Sequence, residues 1–468
     1  MSYVPVIGLE LHIQLKTRSK LFSNSSTDFG KTPNSQVSIY DMAFPGTLPR
    51  LNKEAVIKAI RMCHALHMDI DHTLYFDRKH YFYSDLPKGY QITQDTHPIG
   101  KNGYLVVDDN IIEIERLHLE EDTCKQLHYD DYTLLDYNRA GIPLIEVVTK
   151  PVVKSGQIAK KFVEKIRSIV TFLDVSDGRM SEGSLRVDVN VSIKDEENKF
   201  SSPKVEIKNI NTLSNIESAI NYEISRQTKC LEMGEPLKQE TRRYDERRKV
   251  TISMREKVDS IDYKMLVDTN IVPIRLSEEF IKSAISSSKE LAEEKRNRYI
   301  SMGLNKVDAD IITSNVEMSN YFDELIKNGT DIKISANWLI GEVTAVLKKN
   351  RIDLSEFPIE PNRLAQLIKL IKCGKINSWR AKEIFLLMLK DKSMPSLLVK
   401  EDAILDENEI ISIVNKVLDE HPECINDYHH GKDRAYKFIT GQVMKLTGGR
   451  VNPRLTNDLV LQELQRRK

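Results

Sequence analysis

The sequence predicts an α+β protein: an antiparallel-sheet cradle over residues 1–276, a helical domain over 277–400 and a small helical tail over 401–468. Three observations carry this. Several N-terminal stretches alternate apolar and polar residues with period two, an acidic cluster near residue 120 runs into an apolar strand, and charged helical periodicity takes over after Ser277. A chain of 468 residues is long enough for two or three domains, each with its own core.

The first element is Val6 to Lys16, where Leu9, Leu11, Ile13 and Leu15 alternate with Glu10, His12, Gln14 and Lys16. Glu10 and His12 share the polar face about 6.5–7 Å apart, close enough to share a cation. Alone, such a pair is ordinary solvated surface. The pattern recurs at Leu185 to Ile193, whose polar face carries Arg186, Asp188, Asn190 and Ser192, and at Val205 to Lys208, which shows Glu206 and Lys208 before Asn209. Three strands with one apolar face and one face of acids, amides and bases fit an antiparallel sheet whose polar side lines a cleft.

His118 to Thr149 joins the acids Glu120, Glu121 and Asp122 to the run Gly141-Ile-Pro-Leu-Ile-Glu-Val-Val. In an extended segment His118 and Glu120 fall on one side and Glu121 on the other. Neighbouring carboxylates repel one another unless cations or solvent sit among them. The segment therefore reads as the floor of a metal and phosphate site, with a solvated acidic loop as the bland alternative.

Between these elements, Arg78 to Gln94 interleaves Lys79 and Lys88 with Tyr81, Phe82, Tyr83 and Tyr90. Such a mixture holds phosphates and stacks on bases, or else forms an aromatic strand and a Pro-Gly turn in the core. A second basic run, Lys238 to Lys257, contains the pairs Arg242-Arg243 and Arg247-Arg248 among acids, a composition more typical of solvated surface.

Leu276-Ser277-Glu278-Glu279 is a helix-capping signal and opens the helical part. Trp338 falls on a helix as a core residue, and Asp391 to Asp402, with Met394-Pro395-Ser396, reads as a linker. From Asp427 onward nine basic residues face four acidic ones, which makes the tail the expected RNA contact.

Over the whole chain 69 basic and 69 acidic residues cancel, so a polycation that coats nucleic acid is excluded and any RNA binding is local. Five scattered cysteines without CxxC pairing point to a reducing cytoplasm. No stretch reads as a signal peptide or membrane span. Neither a GxxxxGK[ST] loop nor a GxGxxG unit occurs, so a nucleotide has to be bound by the sheet cleft and its metal. With no Gly-Ser-Ser-Gly amidase signature and no activated cysteine, hydrolysis of an amide donor belongs to another chain.

The segments GLELHIQL, RKHYFYSDLPKGYQIT, HLEEDT, LDYNRAGIPLIEVVTKP, SEGSLRVDVNVSI, VEIKNIN, QETRRYD, SANWLIGEV and GKDRAYKFITGQVMK resemble, in order and spacing, the B-subunit family of the aspartyl/glutamyl-tRNA amidotransferases. The resemblance runs nearly end to end. It implies a cytoplasmic heterotrimer in which the amidase is the A subunit and a small C subunit is the third member. In it, ATP and Mg²⁺ serve to phosphorylate the side chain of Glu mischarged on tRNA-Gln, or Asp on tRNA-Asn, before ammonia forms the amide. By the same resemblance Glu10, His12, Glu120, Glu121 and Glu206 look like the metal set, and Lys79 looks like the residue where ammonia enters. Glu182, Arg186, Asp188, Asn190 and Lys208 face the nucleotide and aminoacyl end, with Tyr81, Lys88 and Asn209 as further cofactor contacts.

Two departures stand out. The cysteines that bind zinc in many family members are matched here by Ser23, Ser25, Ser38 and Asp41, so no zinc is expected. The family's Asp-Tyr-Arg-Tyr and proline-rich loop is replaced by Asp262 to Asn270. The competing readings are a tRNA-binding scaffold that has lost the chemistry, and a stand-alone ligase fed by free ammonia.

Overall fold

The computed structural model describes residues 3–195, 197, 200–256, 264–398, 406–430, 432, 434–447, 451 and 453–467. It divides into two compact units, Met1–Leu291 and Ala292–Lys468.

The first unit begins with β1 (Tyr3–Gln14), α1 (Lys53–Ala65), β2 (Asp69–Ile70), β3 (Thr73–Leu74), β4 (Asp77–His80), β5 (Tyr90–Thr93) and β6 (Gly100–Val107). It continues through β7 (Asn110–Glu121), β8 (Lys125–His128), β9 (Thr133–Asp136), β10 (Pro143–Thr149), α2 (Gly156–Phe172) and β11 (Leu185–Asp195). Then come β12 (Val205–Lys208), α3 (Leu213–Glu232), β13 (Glu240–Asp245), β14 (Val250–Glu256), β15 (Leu266–Val267), β16 (Ile274–Arg275) and α4 (Glu278–Ser286).

Nine strands form the main sheet in the order β14-β13-β12-β11-β1-β10-β7-β6-β2. The three strands read from alternation are therefore neighbours. One expectation needs correcting: the sheet is mixed, because β12 and β13 pair in parallel. The physical cause is α3, a crossover helix that returns the chain so that the next strand runs the same way. The apolar face of the central strands, with Leu9, Leu11, Ile13, Leu117, Leu119, Ile145, Val147, Val187, Val189 and Val191, is buried. Helix α1 rests on β7 and α3 on β11. Each such side chain contributes about 1.5–3 kcal/mol when fully buried, so the strands that carry the opposite face are firmly anchored.

Ser277 caps α4 by accepting from the Phe280 N–H, as its position implied. Yet Ile281 and Ala284 of α4 join the core of the first unit, and Arg61 donates to the Ala284 and Ser287 carbonyls. A cap marks where a helix starts, and the first compact unit runs on to Leu291.

The second unit contains α5 (Ala292–Ser301), α6 (Lys306–Thr313), α7 (Val316–Lys327), α8 (Ile332–Trp338), α9 (Thr344–Asn350), α10 (Pro361–Lys372), α11 (Ser378–Met388) and α12 (Pro395–Leu398). A π-helical turn, Leu339–Val343, joins α8 to α9. It ends with α13 (Glu407–Glu420), α14 (Pro422–His429), α15 (Arg434–Leu446) and α16 (Pro453–Arg466). Two apolar clusters serve it, one spanning Tyr299 to Met388 and one spanning Ile410 to Leu464. Trp338 is core, edge-on to Phe385. The stretch expected as a linker includes α12, and the boundary expected at 400 lies outside the described residues. Among the described residues no helix is long and apolar enough to cross a membrane.

Candidate active site

Strand alternation turns Glu10, His12 and Gln14 of β1 away from the core. Register does the rest: Glu10 sits opposite Asp188 on one side, and His12 sits between Arg186 and Glu146. Glu146 in turn faces His118, and Asn190 faces Glu206. Residues from five strands thus meet on one sheet face.

Two groups of ligand atoms result. His12, Glu120 and Glu146 form one, and Glu10, Asp188 and Glu206 the other, with the atoms of each group within 4.8 Å of one another. In the first, His12 Nε2 lies 3.4 Å from Glu146 and 3.8 Å from Glu120. Burial works against a charged imidazole, but the Glu146 hydrogen bond and the Glu120 and Glu146 charges push His12 up to about 9. Burial also disfavours ionisation of Glu146, yet His118, His12 and Arg116 hold its carboxyl well below the usual range. In the second group, burial and then the Glu146 charge raise the Glu10 carboxyl, with Asp188 and Glu206 adding to the effect and a 2.9 Å bond from Asn190 opposing it. Glu146 bears on both groups, so they adjoin. Lys208 closes the second, 2.7 Å from Asp188 and 3.1 Å from Glu206.

Hard oxygen donors with one imidazole suit Mg²⁺ or Mn²⁺, which take one or two carboxylates and keep sites for water or phosphate. The excess of carboxylates fits a cation as well. Each group is already partly neutralised, the first by His12, His118 and Arg116 and the second by Lys208.

Arg186 is positioned beside this face by Asp122, 3.1 Å away. The buried Asp122 also accepts from Gln14 at 2.9 Å. Burial would raise its carboxyl, but Arg186 and Arg139 hold it low.

The expected site residues do not all assemble. Glu121 stands apart from the two ligand groups: its carboxylate takes the Lys88 ammonium at 2.5 and 2.6 Å and the Ile92 N–H at 3.0 Å. Period-two alternation puts it on the other side of β7 from Glu120. Lys88 is accordingly a buried partner of Glu121 and lies 3.3 Å from the Tyr40 hydroxyl. Lys79 and Tyr81 belong to the small sheet β15-β4-β5 and its turn, where Tyr81 N–H donates to Gly89. Next to them Phe82 and Tyr83 are exposed, at 89% and 66%, and not core. Glu182 is exposed on a 3-10 turn and paired with Arg179 at 2.7 Å. Asn209 follows β12 in a left-handed conformation.

In the second basic run Arg242 is structural, bonding Glu240 and Thr251 and lying 3.7 Å from the fully buried Glu223, whereas Arg243, Arg247, Arg248 and Lys249 are exposed. In the loop that departs from the family pattern, Asp262 and Tyr263 lie outside the described residues, while Asp268 accepts from Arg78 at 2.7 Å. Glu146 was missed by sequence reasoning. Its signal was available, a single carboxylate inside the apolar run Pro143–Thr149.

An α+β scaffold whose mixed sheet gathers carboxylates, imidazoles and basic groups on one face is the class that this fold defines. The chain belongs to the GatB/GatE family: the GatB/GatE catalytic domain matches residues 5–282 and the GatB domain residues 320–464. It is 44% identical over 467 residues to the B subunit of the aspartyl/glutamyl-tRNA(Asn/Gln) amidotransferase of Mesoplasma florum, with 97% of each chain covered. The protein of the same name from Bacillus cytotoxicus is 41% identical over 476 residues and covers all of both chains.

Proposed function

We propose that this chain activates the side-chain carboxylate of Glu on mischarged tRNA-Gln, or Asp on mischarged tRNA-Asn, by ATP-dependent phosphorylation, and that ammonia then displaces phosphate to give the amide. Family membership makes it part of an amidotransferase, a carbon–nitrogen ligase of protein synthesis. The observation that carries the residue-level reading is the His12, Glu120 and Glu146 group beside Glu10, Asp188 and Glu206, flanked by Arg186 and Lys208.

Mg²⁺ held there would neutralise charge during phosphoryl transfer. His12, Glu120 and Glu146 would hold it, with Glu10 adjoining. Arg186, fixed by Asp122, presents a rigid donor fork to phosphate or carboxylate. Lys208 offers an ammonium to the same anions. Asn190 orients Glu10.

Ammonia comes from the amidase, or A subunit, assembled with the small C subunit in the cytoplasm, and the basic tail contacts tRNA. Zinc stays outside the proposal because its positions offer only hydroxyls and one carboxylate. That carboxylate, Asp41, is already engaged by Lys20 at 3.3 Å, Ser25 at 2.6 Å and the Ser38 N–H at 2.8 Å.

The test is amide formation on both tRNAs by the chain copurified with its partners, beside Glu146→Gln. Amidation lost with tRNA binding intact supports the reading. Full amidation by the variant overturns the cation assignment, and tRNA bound with no amidation by the wild type leaves only a scaffold.

A further inference from the structure

His118 is the least explained polar group of this face. Its side chain is 4% exposed, and among the described residues its Nδ1 is buried without a hydrogen-bond partner. Only the other ring nitrogen is engaged: Nε2 lies 3.7 Å from Glu120 and 3.5 Å from Glu146. The register makes this a row, with His12, Glu146 and His118 side by side on β1, β10 and β7. Two imidazoles therefore bracket the same pair of carboxylates, His12 from the half-open side and His118 from the closed one, at 22% and 4% exposure. Burying a ring with one nitrogen unmatched is unfavourable unless its other end does something the fold needs.

We infer that His118 is a positioning residue: it holds Glu120 by Oε2 so that Oε1 faces His12, and it shares Glu146 Oε2 with His12, so that the two carboxylates converge with His12 on one divalent cation. This rests on the cation reading above. Outer groups that orient metal ligands typically change affinity by about 10–100-fold when removed.

The test is Mn²⁺ binding to the full-length chain, read from the electron paramagnetic resonance of free Mn²⁺, with nitrogen couplings of the bound ion read by spin echo. His118→Leu removes the donor and is expected to weaken binding about 10–100-fold. His118→Gln keeps a donor near the Nε2 position and should bind within a few-fold of wild type, with the His12 nitrogen coupling retained. If His118→Leu does not fold, His118→Asn replaces it, because its amide falls short of the carboxylates. Wild-type affinity in the donor-less variant overturns the inference, and so does loss of the nitrogen coupling in His118→Gln, which would make His118 a ligand. Failure of the underlying reading looks different: no Mn²⁺ bound by the wild type, or none lost in Glu146→Gln.

Discussion

The buried Asp122 carboxylate divides its two oxygens between Arg186 Nη2 at 3.1 Å and Gln14 Nε2 at 2.9 Å. Arg186 is about one third exposed and depends on that contact for its aim. Asp122→Asn keeps the volume and removes the charge. Amidation kcat/KM should fall by about 100-fold, as expected when a binding group is displaced by about 1 Å. Stability should fall by about 1–3 kcal/mol, the cost of unmatched buried polar groups. Steady-state kinetics and urea unfolding of one preparation check both, and unchanged kinetics would remove Arg186 from the site.

Glu120 and Glu121 are adjacent in sequence and face opposite ways, which makes them separable. Glu121→Gln strands the Lys88 ammonium, 8% exposed, and should destabilise the chain by about 3–5 kcal/mol. The Mg²⁺ concentration at half-maximal activity should not move. Glu120→Gln should raise that concentration by at least about tenfold with a smaller change in melting temperature. A Mg²⁺ titration of both variants decides it, and a shared shift would return Glu121 to the metal set.

What the sequence could and could not show follows from the same geometry. Alternation exposed β1, β11 and β12 because each has one apolar face, and Ser277 announced α4 because a cap is a local device. Register is not local. That His12 meets Glu146 depends on β10 lying beside β1, and the two are far apart in the chain. The parallel β12–β13 pair was hidden for the same reason, as was the membership of α4 in the first core. Alternation already set Glu120 and Glu121 on opposite sides of their strand, but that Glu121 is spent on Lys88 needed the neighbouring β5 segment in place.

Acid sensitivity of the second unit should centre on Asp323. Burial alone would raise its carboxyl, but bonds from Lys295 at 2.8 Å and Tyr299 at 2.7 Å, with the Lys295 and Arg298 charges, hold it below its ordinary value. A depressed folded value means stability fully present above the unfolded value near 3.9, and lost as pH falls through the folded one. Both tryptophans, Trp338 and Trp379, lie in this unit, so intrinsic fluorescence reports its unfolding separately from the first. Asp323→Asn should lower stability at pH 7 and flatten the decline below about pH 4. An unaltered acid limb would place the sensitivity elsewhere.

Gly156 opens α2, and two effects of Gly156→Ala oppose each other. Helix propensity favours alanine by up to about 1 kcal/mol. Against this, a Cβ there would lie 2.8 Å from the Glu217 carbonyl oxygen and 2.9 Å from Asn221 Oδ1. The first of these is backbone of α3 and cannot rotate away, so relief requires α2 to move off the helix it packs on. Overpacking of this kind costs about 1–3 kcal/mol, which exceeds the propensity gain. A net loss is expected, seen by far-ultraviolet circular dichroism as an earlier unfolding of the first unit while the tryptophan signal stays in place. Because α3 rests on β11 and also supplies the crossover that sets β12 parallel to β13, the same shift should reach Asp188 and Glu206 and lower amidation along with stability.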